Sequence, residues 1–228
     1  MLRSQPVLAQ ARPNRGHAAI AGLERIGRIG SVLTQNVDGL HGQAGSHGVL
    51  ELHGNIHTVV CLECSAMFPR AFVQGQLAEF NPQMTGAHAT PLPDGDASVE
   101  PTALASFRLP YCTCCGGTLM PNVVFFGDNV PAARTAIALE QMERADALLV
   151  VGSSLMVYSG FRFCRMARAA GKPIAAINLG RTRADDLLDI KIEETAEHVL
   201  PLALEWLTKG SHHAGTDTPS IPLDGGIL

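Results

Sequence analysis

The sequence predicts an α/β fold: a Rossmann-like parallel sheet with helices on both faces, plus a small zinc-binding module. Three observations carry this. Three short apolar runs read as buried strands, the stretch between two of them has the length of a crossover helix, and two Cys-x-x-Cys pairs bracket a turn-rich segment that breaks the rhythm.

The elements follow in chain order. "NRGHAAIAGLERIG" reads as an amphipathic helix with Asn14 as N-cap and Gly27 near its stop. "IGSVLTQ", Ile29 to Gln35, is the first strand, short and flanked by turn chemistry. From about Thr58 to Thr118 the chain is rich in Pro, Gly and Asp, and a loop that long in a compact domain needs something to staple its base. "PAARTAIALEQMERA" is a helix leading into the second strand, "ALLVVGSS" from Ala147 to Ser154. "VYSGFRFCRMARAAGK" is the crossover helix, closing at Gly171 and Lys172, and it delivers the chain to the third strand, "PIAAINLG" from Pro173 to Gly180. "VLPLALEWLT" supplies a last helix. The expected division is 1–57 with 118–208 as a discontinuous Rossmann-like domain, 58–117 as the zinc module, and 209–228 as a disordered tail.

Composition bounds the function. With 228 residues, 46% hydrophobic and 17% charged, the chain can bury one sizeable core. A formal charge of −4 gives no bulk electrostatic case for a nucleic-acid or anionic-membrane partner. The apolar run "ALLVVGSSLMV" is broken by Gly152, Ser153 and Ser154 and falls short of the roughly 20 residues of a membrane span. The expectation is a soluble, cytoplasmic protein. The first residues carry arginines and no acid before Glu24, a pattern shared with mitochondrial transit peptides, so the matrix is the alternative location.

The staple is "CLEC", with Cys61 and Cys64, and "CTCC", in which Cys112 and Cys115 repeat the gap. Two such knuckles supply four thiolates for one tetrahedral Zn²⁺; the competing reading is two unrelated redox or buried pairs. Cys114 is a fifth thiol able to compete as a ligand, and Cys164 reads as a small core residue. Four thiolates leave zinc no open position for water, so the metal is structural and the chemistry lies elsewhere.

Polar groups gather where the strands end: Gln35 and Asn36 with Asp38 after the first, Ser153 and Ser154 after the second, Asn178 and Gly180 at the third. The crevice outside the carboxyl ends of parallel strands is where such sheets bind nucleotides, although each residue alone also reads as an ordinary turn or cap. His53 in "ELHGN" is either a general base or a structural turn residue; His41 has the weaker case. "PNVVFFGDNVP" is a strand end feeding a helix, or an exposed segment that pairs with an extended peptide.

Taken in order, "TQNVDGLH", "ELHG", the paired knuckles, "NVVFFGDNVP", "VVGSSLMVYSG" and "INLG" resemble the sirtuins, NAD-dependent protein lysine deacylases, over about Pro13 to Leu204. "PDGDA" and "VYSGFRF" are most similar to the class II-like branch that includes bacterial enzymes and a mitochondrial member. The resemblance implies NAD and one structural Zn²⁺, an acylated-lysine protein or peptide as substrate, and release of nicotinamide and O-acyl-ADP-ribose. It gives Gln35, Asn36 and Asp38 to the nicotinamide and ribose pocket, and His53 to deprotonation of a ribose hydroxyl. Gly152, Ser153 and Ser154 would meet the phosphate and adenosine side, with Asn178 on the adenosine ribose and Leu179 and Gly180 beside it. Val123, Phe125, Phe126 and Gly127 would border the acyl-lysine tunnel, and the backbone from Val157 to Ser159 would flank the substrate strand. A family position late in the chain, often a Cys contacting adenine, matches Ala196.

The family opens with a strand, a Gly-Ala-Gly-x-Ser loop and a Gly-Ile-Pro-Asp-Phe-Arg segment, and neither motif occurs in this sequence. The sequence is therefore read as N-terminally truncated, with the expectation that these residues alone fold weakly or are inactive. The alternative function is a catalytically silent sirtuin-like protein acting only as a zinc-containing protein-binding module.

Overall fold

The computed structural model describes residues 11–84, 90–91, 97–98, 106–125 and 127–210. The chain opens with α1 (Arg15–Arg25), and the Asn14 side chain accepts a hydrogen bond from the His17 amide at 3.0 Å, satisfying one of the free donors of the first turn. The helix stops where Gly27 takes a left-handed conformation. Its small and apolar face, from Gly16 to Leu23, is buried.

The parallel strands are short. β1 (Val32–Thr34) leads through α2 (Leu40–Gln43) to β2 (Val49–Glu51), and the two strands pair in parallel with Val32 opposite Val49. Later in the chain α4 (Ala132–Arg144) precedes β8 (Leu148–Val151), α5 (Tyr158–Ala169) crosses over to β9 (Ile174–Ile177), and β10 (Ile190–Ile192) adds outside β9. β8 and β9 are parallel, with Leu148 opposite Ile174, which is the βαβ unit expected from the sequence. α6 (Ala196–Gly210) closes the described chain. It carries Lys209 and Gly210 in its last turn, so helix extends into the stretch expected as tail, whose remainder lies outside the described residues.

Among the described residues β1–β2 and β10–β9–β8 are separate ladders. Two apolar layers nevertheless hold them in common. On one side α4 and α5 place Ala138, Met142, Phe163, Cys164 and Ala167 against Val150, Ile174 and Ala176, with Leu33 and Leu50 of the first ladder packed on the same cluster. On the other, Ala19, Ile20 and Leu23 of α1 and Leu200 of α6 enclose Ile177, joined by Val32 and Val151. Helices therefore pack on both faces of the parallel strands, while Leu149 of β8 and Ile190 and Ile192 of β10 stay exposed. Leu52 and Ile174 are fully buried, and truncating either to alanine costs about 2–5 kcal/mol.

The chain between the two parallel ladders builds an antiparallel sheet that the sequence did not announce. β3 (Gly54–Cys61) is its middle strand, flanked by β4 (Met67–Pro69) and β7 (Leu119–Val123), with α3 (Arg70–Phe80) packed against it through Val73 and Leu77. β5 (Thr90–Pro91) and β6 (Ala97–Ser98) form a separate antiparallel pair of two residues each. β3 begins at Gly54 and ends at Cys61, so one continuous strand crosses the domain boundary expected near residue 57.

Candidate active site and metal centre

The two ends of β3 define two sites. At its far end Cys61 enters the first knuckle, and β7 returns the chain from the second. The knuckles are built alike: the residue after each second cysteine, Ser65 and Gly116, is left-handed, and the amides of Cys64 and Cys114 point at the sulfurs of Cys61 and Cys112. The Cys61 and Cys112 amides each bond a carbonyl five residues on, that of Ala66 and that of Gly117. The result is four sulfurs within 4.8 Å of one another, with Cys61 Sγ 3.5 Å from Cys115 Sγ and Cys64 Sγ 3.6 Å from Cys112 Sγ. Four sulfurs about 2.3 Å from one tetrahedral Zn²⁺ are necessarily about 3.8 Å apart, so the residues present fit that ion. Cys114 stays outside the cluster, exposed. Cys164 is buried in α5, where burial pushes its thiol up to about 11.

At the near end of β3 stands His53. Gly54 follows it with φ +87, and a Cβ there would lie 2.0 Å from the Asn122 carbonyl oxygen, so only glycine lets β3 turn out of β2 this tightly against β7. The Val124 amide donates to the His53 carbonyl at 2.8 Å, which fixes the end of β7 beside the imidazole. The ring is half-buried. Its Nε2 lies 2.9 Å from Ser159 Oγ, in the first turn of α5. Burial holds the imidazole below its usual range and the Arg134 guanidinium adds to this, while the Gln35 backbone acts in the opposite direction.

The other polar residues sit where the sequence put them, at the carboxyl ends of strands. Gln35, half-buried after β1, donates from Nε2 to Ser159 Oγ at 3.1 Å. Asn36 is exposed beside it. Asp38 accepts from the Leu40 amide at 3.0 Å, and the Asp38 carbonyl lies 2.9 Å from His57 Nε2. Gly152 follows β8, Ser153 Oγ accepts from the Leu155 amide at 3.2 Å, and Ser154 is exposed, its carbonyl bonded by the Arg183 amide. The Asn178 side chain is buried and donates to the Leu179 and Gly180 carbonyls, tightening the turn after β9. Ala196 opens α6 and touches α1 at Gly16. The structure thus brings Gln35, His53 and Ser159 into direct contact, with Asn36 next in chain, and groups the β8 and β9 turns through the Gly152 amide on the Ile177 carbonyl.

An apolar surface flanks the imidazole. Phe125 after β7, Met156 and Val157 before α5 and Tyr158 at its start are all exposed, with Val123 half-buried and Gly127 at positive φ. Phe126 lies outside the described residues.

Residues 1–159 match the family model described as the Sir2 family. The chain belongs to the Sir2 family. It is 52% identical over 195 residues to the NAD-dependent protein deacetylase 2 of Bradyrhizobium diazoefficiens, covering 86% of this chain and 71% of that protein. A Xanthomonas campestris NAD-dependent protein deacetylase is 50% identical, with 86% of this chain and 67% of the relative covered. A solved structure of Sir2 bound to acetylated peptide superposes with a TM-score of 0.69 at 29% identity, over 90% of this chain and 73% of that one. A second, of Sir2 with a p53 peptide and NAD⁺, gives 0.67 at 29% identity over the same 90% and 73%.

In this Sir2-family chain three contacts at the sites escaped sequence reasoning. Arg134 in α4 donates to Asn122 Oδ1 at 2.6 Å and acts on His53, yet an arginine in the first turn of a helix reads as a solvated group. Glu63 accepts from the Thr118 amide at 2.6 Å and lies 3.3 Å from Cys61 Sγ, tying one knuckle to the other; its only signal was its place inside "CLEC". Ser159 carried a Ser-Gly signal at a helix start, but its side-chain partners are distant in sequence.

Proposed function

We infer that this chain is an NAD-dependent protein lysine deacylase that releases nicotinamide and O-acyl-ADP-ribose as it frees the lysine amine. One observation carries the reading beyond family membership: the His53 ring stands between the polar rim at the strand ends and the exposed apolar segment after β7. That arrangement supports a base, a cofactor rim and an acyl-lysine surface acting together. The relatives at 52% and 50% identity are named NAD-dependent protein deacetylases, which supports the reading.

The rim fits a dinucleotide: its turns are open and lined by hydroxyls, amides and backbone groups of the kind that hold ribose and phosphate. Gln35, Asn36 and Asp38 would hold the nicotinamide and its ribose, Gly152, Ser153 and Ser154 the phosphate and adenosine side, and Asn178, Leu179, Gly180 and Ala196 the adenosine end. When bound there, NAD supplies an electrophilic ribose carbon and carries the acyl group away. His53 takes a hydroxyl proton at Nε2, and its depressed proton affinity keeps that nitrogen free to do so near neutral pH. Val123, Phe125, Gly127 and Val157 would line the apolar passage for the acylated side chain, shielding it from water. An extended peptide can add its backbone between the segments at 125–127 and 157–159, which gives affinity with little demand on sequence. The four cysteines would hold one Zn²⁺ with no open position, so the ion orders the outer sheet and takes no part in the reaction.

The test is incubation of the full chain with NAD and an acetyl-lysine peptide, following nicotinamide by chromatography and the acylated ADP-ribose by mass spectrometry. Equal yields of nicotinamide, free lysine and O-acetyl-ADP-ribose are expected. Peptide that stays acetylated while nicotinamide is not released would overturn the reading.

A further inference from the structure

The first turn of α5 is pressed onto the strand ends. A Cβ added at Gly160 would lie 2.8 Å from Gln35 Oε1, so the helix approaches Gln35 as closely as a glycine permits. That approach sets the neighbouring Ser159 hydroxyl between two side chains from the opposite wall, 3.1 Å from Gln35 Nε2 and 2.9 Å from His53 Nε2.

Proton bookkeeping orders these contacts. The Gln35 amide nitrogen only donates, so Ser159 Oγ accepts from it. With the ring proton on Nδ1, Nε2 keeps its lone pair and can accept. In that tautomer Ser159, whose oxygen accepts from Gln35, donates its own proton to Nε2. The three residues close a circuit: Gln35 side chain to Ser159, Ser159 to His53, His53 to the Gln35 backbone.

We propose that Ser159 is a positioning residue of the deacylase, holding the acceptor nitrogen of His53 and the Gln35 side chain in one fixed arrangement. The inference rests on the function proposed above. An imidazole with one free nitrogen in a partly wet cleft can turn about its ring axis or bind stray water; a hydroxyl held by two partners prevents both. When a substrate hydroxyl comes to the same lone pair, Ser159 rotates its proton aside while its oxygen stays bonded to Gln35, so the ring meets the incoming group already aimed. The serine also couples the residue on the cofactor rim to the base, so disturbance at one is felt at the other. Arg134 is the charged side chain that acts on the ring, and it lies on α4, outside the circuit.

The experiment compares the wild-type chain with Ser159→Ala and Ser159→Thr. Two readouts are taken: steady-state deacylation of an acetyl-lysine peptide with NAD, and the NMR titration of the His53 ring in the ligand-free protein. Donation from Ser159 favours the neutral ring, so Ser159→Ala raises the titration midpoint by about half a pH unit or more. The same variant lowers kcat by about tenfold or more while KM for the peptide changes less than about twofold. Ser159→Thr keeps the hydroxyl and restores both values to near wild type, which a purely steric role for the side chain would not predict. Melting temperatures within about 2 °C of wild type exclude a folding defect at this half-exposed position. A wild-type kcat and a wild-type titration in Ser159→Ala overturn the proposal. A wild type that fails to deacylate overturns the functional reading instead, while the titration still reports whether Ser159 engages His53.

Discussion

The Val124 amide donates to the His53 carbonyl at 2.8 Å, so the chain leaving β7 toward the exposed Phe125 is fastened to the backbone of the residue proposed as the base. Backbone bonding of this kind keeps the apolar passage and the imidazole in register whatever side chain stands at 53. His53→Ala is therefore expected to leave the fold and peptide binding intact and to lower the rate of acyl removal by about 10²–10⁴-fold, the range for loss of a general base. Calorimetric peptide binding with a matched activity assay checks both halves; a loss of affinity as large as the loss of rate contradicts the assignment.

The pH dependence has a fixed sign. Burial first, and Arg134 second, hold the folded His53 below its ordinary value of 6.5, and the base works when neutral. The acid limb of kcat/KM is thus expected to turn over below pH 6.5. Arg134→Gln removes the second influence but keeps a donor for Asn122, and the limb moves upward toward the ordinary value, remaining depressed by burial. The same depression makes acid destabilising: the unfolded chain takes up this proton first, so the contribution is intact above about 6.5 and is lost as pH falls through the folded value. A limb above 6.5, or one indifferent to Arg134→Gln, contradicts this account.

What the sequence disclosed and what it hid have separate physical causes. β8 and β9 were legible because helices pack on both faces, and runs such as "LLVV" and "IAAI" carry no polar alternation to confuse. α1 was legible through Asn14 and Gly27, and the zinc ligands through thiol spacing. β2 and β10, three residues each, are too short to show a period, and the ladder of β3 with β7 joins Gly54 to Val123 across the whole zinc module. The polar rim could be read because strand ends announce themselves. Its inner wiring could not: the Ser159 and His53 side chains meet across 106 residues, and no local pattern encodes that.

Thiol substitution should separate ligand from bystander within "CTCC". Cys115→Ser breaks a set whose sulfurs lie within 4.8 Å of one another, while Cys114→Ser alters a neighbouring thiol outside that set. Metal analysis after purification is expected to give about one Zn²⁺ per chain for wild type and Cys114→Ser, and little for Cys115→Ser. Exchange of stability with zinc binding also predicts that a chelator lowers the melting temperature of the first two. Equal zinc in both serine variants would show that Cys114 can substitute as a ligand.

Glu63 should act on the metal without binding it. Its carboxylate clamps the Thr118 amide beyond the second knuckle, beside the Leu62 amide on the Thr118 carbonyl, so four ligands are held together before any ion arrives. Glu63→Ala is expected to speed zinc release to a chromophoric chelator by about 10–100-fold, with Glu63→Gln falling between it and wild type. Unchanged release rates would confine Glu63 to the surface.

The sharpest stability prediction concerns Gly54, because space and backbone angle act together there. A Cβ would stand 2.0 Å from the Asn122 oxygen, a backbone atom that cannot swing aside, and φ is +87. Relief requires β3 to part from β7, which would loosen both the His53 end and the Cys61 end of the same strand. Gly54→Ala is expected to cost more than about 3 kcal/mol or to prevent folding. Gly75 is the counterpart: it lies in α3, exposed, with nothing within 4 Å of an added Cβ. Gly75→Ala should stabilise by about 0.5–1 kcal/mol, since alanine loses less backbone entropy on entering a helix. Urea unfolding of the two variants side by side measures the contrast, and similar midpoints would mean that β3 has more freedom at its turn than the contact with Asn122 allows.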